Sequence, residues 1–112
     1  MCGRFTQTAA SKETLAQLFH LIDPPGLLPL FNIAPTQGVA AVRLVPAGQE
    51  RGLVTLRWGL IPSWADDPKI GYKMINARSE TAATKPSFRS AFKSRRCLIA
   101  TDGYYERVRH EA

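Results

Sequence analysis

Proline and glycine set the length of everything this chain can build. Eight prolines and eight glycines are spread through 112 residues, and where they gather, no helix or strand continues. The first element ahead of such a break is a helix: Ser11 is placed as its N-cap with Glu13 in the first turn. Leu15, Leu18, Phe19 and Ile22 follow at helical spacing, and Pro24-Pro25-Gly26 ends the run. His20 lies beside that stripe and reads as a helix-surface residue rather than a ligand. Val39–Val45 and Leu53–Trp58 are apolar and β-branched, and Pro46-Ala47-Gly48 between them predicts a hairpin. The stretch GLIPSWADDPKIGYK after Trp58 predicts an irregular surface loop. Pro86 to Arg96 predicts a short basic helix with Phe88 and Phe92 on one face. CLIAT, from Cys97 to Thr101, predicts a short buried strand with Cys97 as a core thiol. The result is an α+β pattern of short strands with helices inserted between them.

A chain of 112 residues builds one domain, here 1–112, and leaves no room for a second. It has no apolar run long enough for a membrane span and no signal-peptide pattern, so a soluble, cytoplasmic protein is expected. Cys2 and Cys97 stand at opposite ends of the sequence, which excludes a disulfide framework and a CxxC knuckle and leaves two reduced thiols. Cys2, Cys97, His20 and His110 show no zinc spacing, so no metal or other cofactor is expected. Charge is distributed unevenly. Between Lys69 and Arg96 eight basic residues face one acid, Glu80, so this segment alone carries +7 of a total of +6, and the remainder is −1. Such a segment suits a polyanion through phosphate contacts, or it is simply a solvated face.

The opening MCGRF carries the chemistry. If Met1 is removed, Cys2 becomes the amino terminus and offers two nucleophiles on one Cα: an amine with a reference pKa of about 8 and a thiol near 8.5. The amine condenses with an aldehyde to an imine, and the thiol closes a five-membered thiazolidine onto it. Closure within one residue benefits from the high effective molarity of intramolecular reactions. Gly3 leaves room for close approach of a substrate, and Arg4 offers a phosphate contact.

MCGRF, FNIAPTQ, RWGLIPSW, MINARSET and CLIATDGYYE, in this order, closely resemble the SOS-response-associated peptidase (SRAP) family. The resemblance runs from the first residue to about Glu106. It implies short antiparallel strands in a mixed or barrel-like sheet with inserted helices, and a covalent crosslink between an N-terminal cysteine and the aldehyde of an abasic site in single-stranded DNA. The family name records a suspected peptidase, tied to removal of the leading methionine. Carried over by motif, Cys2 is the nucleophile, Asn76 positions its amine and the opened sugar, and Glu106 is the acid/base. An amide suits the first of these supporting roles because it donates and accepts without changing charge. A carboxylate suits the second where burial raises its pKa, a setting expected from Tyr104 and Tyr105. The family's DNA path corresponds to Arg4, Asn32, Pro35, Trp58, Arg78 and Lys85. Arg78 is two residues from Asn76 and on an extended strand shares its face. Trp58 and Trp64 flank a loop and either stack on bases or fill a core.

The match departs at GYYERVRHEA, where Arg107 replaces the family's tryptophan and the downstream catalytic histidine has no counterpart; His110 does not occupy the matching motif. This half of the family domain is therefore expected to be a fragment, or to complete its sheet with a partner chain, by self-association or with the missing half. Two rival readings stand beside the family one. Class II glutamine amidotransferases also begin Met-Cys-Gly, their terminal amine activating its own thiol, but Arg4 and the lack of their further Arg-Gly and Asn-Gly motifs separate them. The other rival is a noncatalytic basic module that binds nucleic acid reversibly, with Cys2 incidental.

Overall fold

The computed structural model describes residues 2–8, 12–21, 29–45 and 50–108. Ser11, Ile22, Pro24-Pro25-Gly26, Pro46-Ala47-Gly48 and His110, singled out above, lie outside these. Two three-stranded antiparallel sheets form the α+β framework, and they do not close into a barrel. In the first, β1 (Arg4–Gln7) is central, flanked by β2 (Leu30–Ile33) and β6 (Gly103–Tyr105). In the second, β3 (Gly38–Leu44) lies between β4 (Arg51–Arg57) and β5 (Leu98–Ile99).

The predicted hairpin is β3–β4, paired from Gly38 opposite Arg57 to Leu44 opposite Arg51. β3 is covered on both faces. Val39 joins Phe5 and Ile33 in one core, with Cys2, Leu30 and Trp58 packed against it. Val42, three residues on and so on the opposite face, joins Leu15 and Leu21 in a second core. The helix α1 (Lys12–Phe19) therefore packs on the second sheet, with Ala16 and Phe19 beside Leu15.

One side chain stitches the sheets together. The β3–β5 register pairs Ala41 with Ile99, so its next step sets Ala100 opposite Ala40. Gln7 stands there instead: its amide donates to the carbonyls of Ala40 at 2.9 Å and Ala100 at 2.7 Å, and its Oε1 accepts from the Ala40 N–H at 3.2 Å. A polar residue in β1 thus satisfies the peptide groups where β5 has run out.

Several elements differ from expectation. α1 stops at Phe19, and His20 takes a left-handed φ of 56° while the Leu21 N–H bonds back to the Ala16 carbonyl at 3.0 Å. That is a Schellman-type end with histidine where glycine is usual, so His20 terminates the helix instead of riding on it. Leu18 turns away from the core and is 66% exposed. The loop after Trp58 contains a 3₁₀ helix, Pro68–Lys73, entered through Asp67, whose side chain accepts the Lys69 N–H at 2.9 Å. The basic helix α2 is shorter than expected, Arg89–Ser94, and has no buried residue. CLIAT is not a buried strand. β5 comprises two exposed residues, Leu98 and Ile99, and Cys97 is an exposed thiol. An apolar run becomes core only where a second layer covers it, and here only Ala100 packs against the Leu15–Leu21–Val42 core while Cys97, Leu98 and Ile99 stay exposed.

Candidate functional site

Cys2 lies two residues before β1 and packs against the Phe5–Ile33–Val39 core, half-buried, with its Sγ 3.5 Å from the Arg4 carbonyl oxygen. Its own carbonyl accepts a hydrogen bond from Asn76 Nδ2 at 2.8 Å. MCGRF and MINARSET, 74 residues apart, therefore meet at the cysteine backbone. Asn76 is half-buried, and this one bond leaves a second amide hydrogen and the oxygen of its side chain to other partners.

The loop that delivers Asn76 is closed by glycine. Gly59 has a φ of +115°, and a Cβ there would meet the Gly71 carbonyl oxygen at 2.6 Å; both conditions require glycine. The Leu60 N–H bonds to the Met74 carbonyl at 3.1 Å just beyond that contact. Trp58 then holds the next residue, its indole N–H donating to the Ile75 carbonyl at 3.0 Å while its ring meets Phe5 edge-on at 5.0 Å between centroids. Trp58 is thus half-buried in the core that backs Cys2, whereas Trp64 is 61% exposed. Residues 74–78 form a connection rather than a strand, so the shared strand face expected for Asn76 and Arg78 does not exist.

Arg4 and Asn32 come together: Arg4 Nη1 donates to Asn32 Oδ1 at 3.2 Å across the β1–β2 pair, and both are exposed. Pro35 is half-buried in the Ala34–Gln37 turn, where Thr36 takes a φ of 75° and its N–H bonds to the Trp58 carbonyl at 2.8 Å. Gly3 faces open space, with nothing within 4 Å of a built Cβ. Arg78 and Lys85 are exposed, and their backbone bonds belong to the turns that carry them, with the Arg78 carbonyl accepting from Thr81 and Ala82. Among the described residues neither joins the hydrogen-bonded group around Cys2.

β6 pairs with β1 in the register Arg4–Tyr105, Phe5–Tyr104, Thr6–Gly103. Glu106 therefore follows the partner of Arg4, at the end of the ladder from which Cys2 leads. The apolar setting expected for this carboxylate is absent: Glu106 is exposed, as are Tyr104 at 64% and Tyr105 at 54%. Tyr105 instead reaches across β1, its hydroxyl donating to the Phe31 carbonyl at 2.9 Å.

Sequence reasoning missed the network at the other end of this ladder. Asp102 Oδ1 accepts from the Thr6 hydroxyl at 2.7 Å and the Thr8 N–H at 3.1 Å, and Oδ2 accepts from the Thr8 hydroxyl. These bonds, the Thr8 hydroxyl first and Thr6 next, hold the Asp102 carboxyl at about 2, below its ordinary 3.8. The signal was the run Thr-Gln-Thr, which places polar side chains along a strand where apolar alternation would otherwise continue.

These motifs, in this order and on this framework, define a family. The chain belongs to the SOS response associated peptidase (SRAP) family, whose model matches residues 1–112. It is 47% identical over 108 residues to the abasic site processing protein YoaM of Bacillus subtilis, covering 95% of this chain and 47% of that protein. It is 33% identical over 111 residues to YedK of Escherichia coli, also named an abasic site processing protein, covering 95% and 47%. A crystal structure of a protein from Bordetella bronchiseptica superposes with a TM-score of 0.70 at 32% identity, covering 94% of this chain and 50% of that one. The chain thus spans about half the length of these relatives. No helix among the described residues is long and apolar enough to cross a membrane.

Proposed function

We propose that this chain processes abasic sites in single-stranded DNA by capturing their aldehyde on Cys2 once Met1 has been removed, by the chain itself or by an aminopeptidase. The observation that carries the reading is the 2.8 Å bond from Asn76 to the Cys2 carbonyl, which joins the two most distinctive motifs at the residue that bears the reacting amine. The relatives' names supply the substrate class.

The Cys2 amine adds to the aldehyde carbon and expels one water to give an imine. The thiol then adds to the same carbon, its proton passes to nitrogen, and a thiazolidine closes; the balance is one water lost. Asn76 orients the amine through the Cys2 backbone, and Glu106, solvent-exposed at the end of the β1–β6 ladder and not set in an apolar pocket, moves protons as the sugar opens and the imine forms. Arg4 and Asn32, exposed side by side, receive the flanking backbone. Arg78, Lys85 and the cations of α2 extend the track with contacts indifferent to base sequence. Trp64, not the half-buried Trp58, presents the free ring for stacking, and Trp58 with Pro35 shapes the wall behind Cys2.

Intact mass of the protein before and after mixing with an abasic oligonucleotide tests this reading. The expected product has lost Met1 and carries the oligonucleotide less one water, and Cys2→Ala forms none. Retained Met1, or an adduct that persists in Cys2→Ala, overturns the reading. Salt-sensitive binding with no adduct identifies a reversible basic module instead.

A further inference from the structure

We propose that Asp102 is a positioning residue for the reaction proposed above: through Thr6 and Thr8 it fixes the register of β6 on β1 and thereby sets where Glu106 stands relative to Cys2. The inference rests on that functional reading.

The need for such a lock follows from what β6 lacks. Strand register is normally specified by burying one face, because a one-residue slip turns every side chain to the wrong side. β6 has three residues, Gly103, Tyr104 and Tyr105, and both tyrosines are more than half exposed. Burial therefore does little to choose among its registers. A slip of two residues keeps the faces unchanged and moves Glu106 by roughly 6 to 7 Å along β1, a displacement about twice the roughly 3 Å over which a side chain transfers a proton directly.

Asp102 supplies the missing specification. It directly precedes β6, and its carboxylate collects the Thr6 hydroxyl, the Thr8 hydroxyl and the Thr8 N–H, while its own N–H donates to the Thr6 carbonyl at 3.3 Å. Thr101 reinforces the same alignment, its hydroxyl donating to the Thr6 carbonyl at 3.0 Å. Only one alignment puts Asp102 between the two threonines. Charge-assisted bonds of this kind are stronger than the neutral ladder bonds they accompany. The carboxyl held at about 2 is accordingly ionised throughout the neutral range in which imine chemistry runs. The lock and Glu106 sit at opposite ends of one short ladder, so the effect is on placement and not on contact with DNA.

The test compares wild type, Asp102→Ala and Asp102→Asn. The asparagine keeps an acceptor oxygen for Thr6 and the Thr8 N–H and can donate to the Thr8 hydroxyl. Adduct formation is followed under single-turnover conditions at saturating abasic oligonucleotide, reversible affinity is measured with a tetrahydrofuran analogue that has no aldehyde, and urea melting gives the folded fraction. Asp102→Ala is expected to slow capture by about tenfold or more, since misplacement by an ångström costs up to about a hundredfold. Affinity for the analogue stays unchanged, and Asp102→Asn restores most of the rate. Capture at the wild-type rate by folded Asp102→Ala overturns the proposal, as does a loss that matches the unfolded fraction alone. If Asp102→Ala does not fold, Thr8→Val takes its place with a smaller expected slowing and the same overturning result. If wild type forms no adduct, the functional reading fails by itself. The register claim is then decided by cross-strand nuclear Overhauser effects between Phe5 and Tyr104: their loss in Asp102→Ala, or in folded Thr8→Val where the alanine variant does not fold, supports the lock, and their persistence overturns it.

Discussion

The β2–β1–β6 sheet and the basic stretch from Ser79 to Ile99 sit in one small chain and are built on opposite plans. The sheet is specified side chain by side chain: Arg4 to Asn32, Thr6 and Thr8 to Asp102, Gln7 to Ala40 and Ala100, Tyr105 to Phe31. Behind it lies a core in which Ile33 is fully buried. The basic stretch has turns, a helix with no buried residue and a two-residue strand, and its ring contact is Arg96 over Phe92 at 5.6 Å. Chemistry at a defined atom needs the first plan, because angles and distances must hold. On the proposed function, attraction to a phosphate backbone needs only charge in the right region, and charge is what the second plan carries.

The largest effect that would sharpen this contrast is on stability. Ile33→Ala removes the side chain of a fully buried residue and is expected to cost about 2 to 5 kcal/mol. Phe92→Ala, at a residue 45% exposed, forfeits little more than the packing against Arg96, about 1 kcal/mol or less. Urea melts of both variants check the pair, and equal losses would break the distinction.

A smaller loss is expected at Gln7. Gln7→Leu preserves bulk but leaves the Ala40 carbonyl and N–H and the Ala100 carbonyl without the amide that bonds them. An unsatisfied buried peptide group costs about 1 to 3 kcal/mol, and Ala40 is 8% exposed. The loss should appear as a lower urea midpoint together with faster hydrogen exchange at Ala40. An unchanged midpoint would mean the two sheets do not depend on this bridge.

The basic stretch should respond in binding and not in stability. Replacing Arg89, Lys93, Arg95 and Arg96 together by alanine is expected to flatten the dependence of single-strand affinity on salt, by about 0.7 in slope for each phosphate that these cations no longer neutralise. The unfolding free energy from urea melts should stay within about 1 kcal/mol of wild type. Fluorescence anisotropy across a salt series checks the first expectation. A full-strength slope would return these residues to the role of a solvated face.

What the sequence revealed divides along the same line. The β3–β4 hairpin was legible because β-branched runs flanking a turn are a local signal, and its observed limits lie within two residues of those expected. The amphipathic helix was legible for the same reason, but its end was not, since His20 carries no mark that it will adopt a positive φ. CLIAT was misread because apolar content announces a strand without saying whether anything covers it. Cys2, Asn76 and Glu106 came from motif resemblance, yet the bond that links the first two spans 74 residues and has no local trace. The Gln7 bridge and the Asp102 lock left only the polar run Thr-Gln-Thr as a local trace, and their partners, mostly backbone groups and hydroxyls, which every sequence has in plenty, left none.

The smallest effect expected is a pH dependence, and it isolates Asp102. Hydrogen bonds from Thr8 and Thr6 lower its folded pKa to about 2 from 3.8. A carboxyl depressed on folding contributes stability that is complete above the unfolded value and disappears as pH falls through the folded one. Wild type should therefore lose urea midpoint faster than Asp102→Asn between about pH 4 and pH 2, because the amide does not titrate. Above that window the two midpoints should keep a constant separation. Below it they should again run parallel, since Asp102 is then protonated in both folded and unfolded chains. Curves parallel throughout would mean that Thr6 and Thr8 do not prefer the charged carboxylate over its protonated form, and that any hold residue 102 has on the register comes from hydrogen-bond geometry and not from charge.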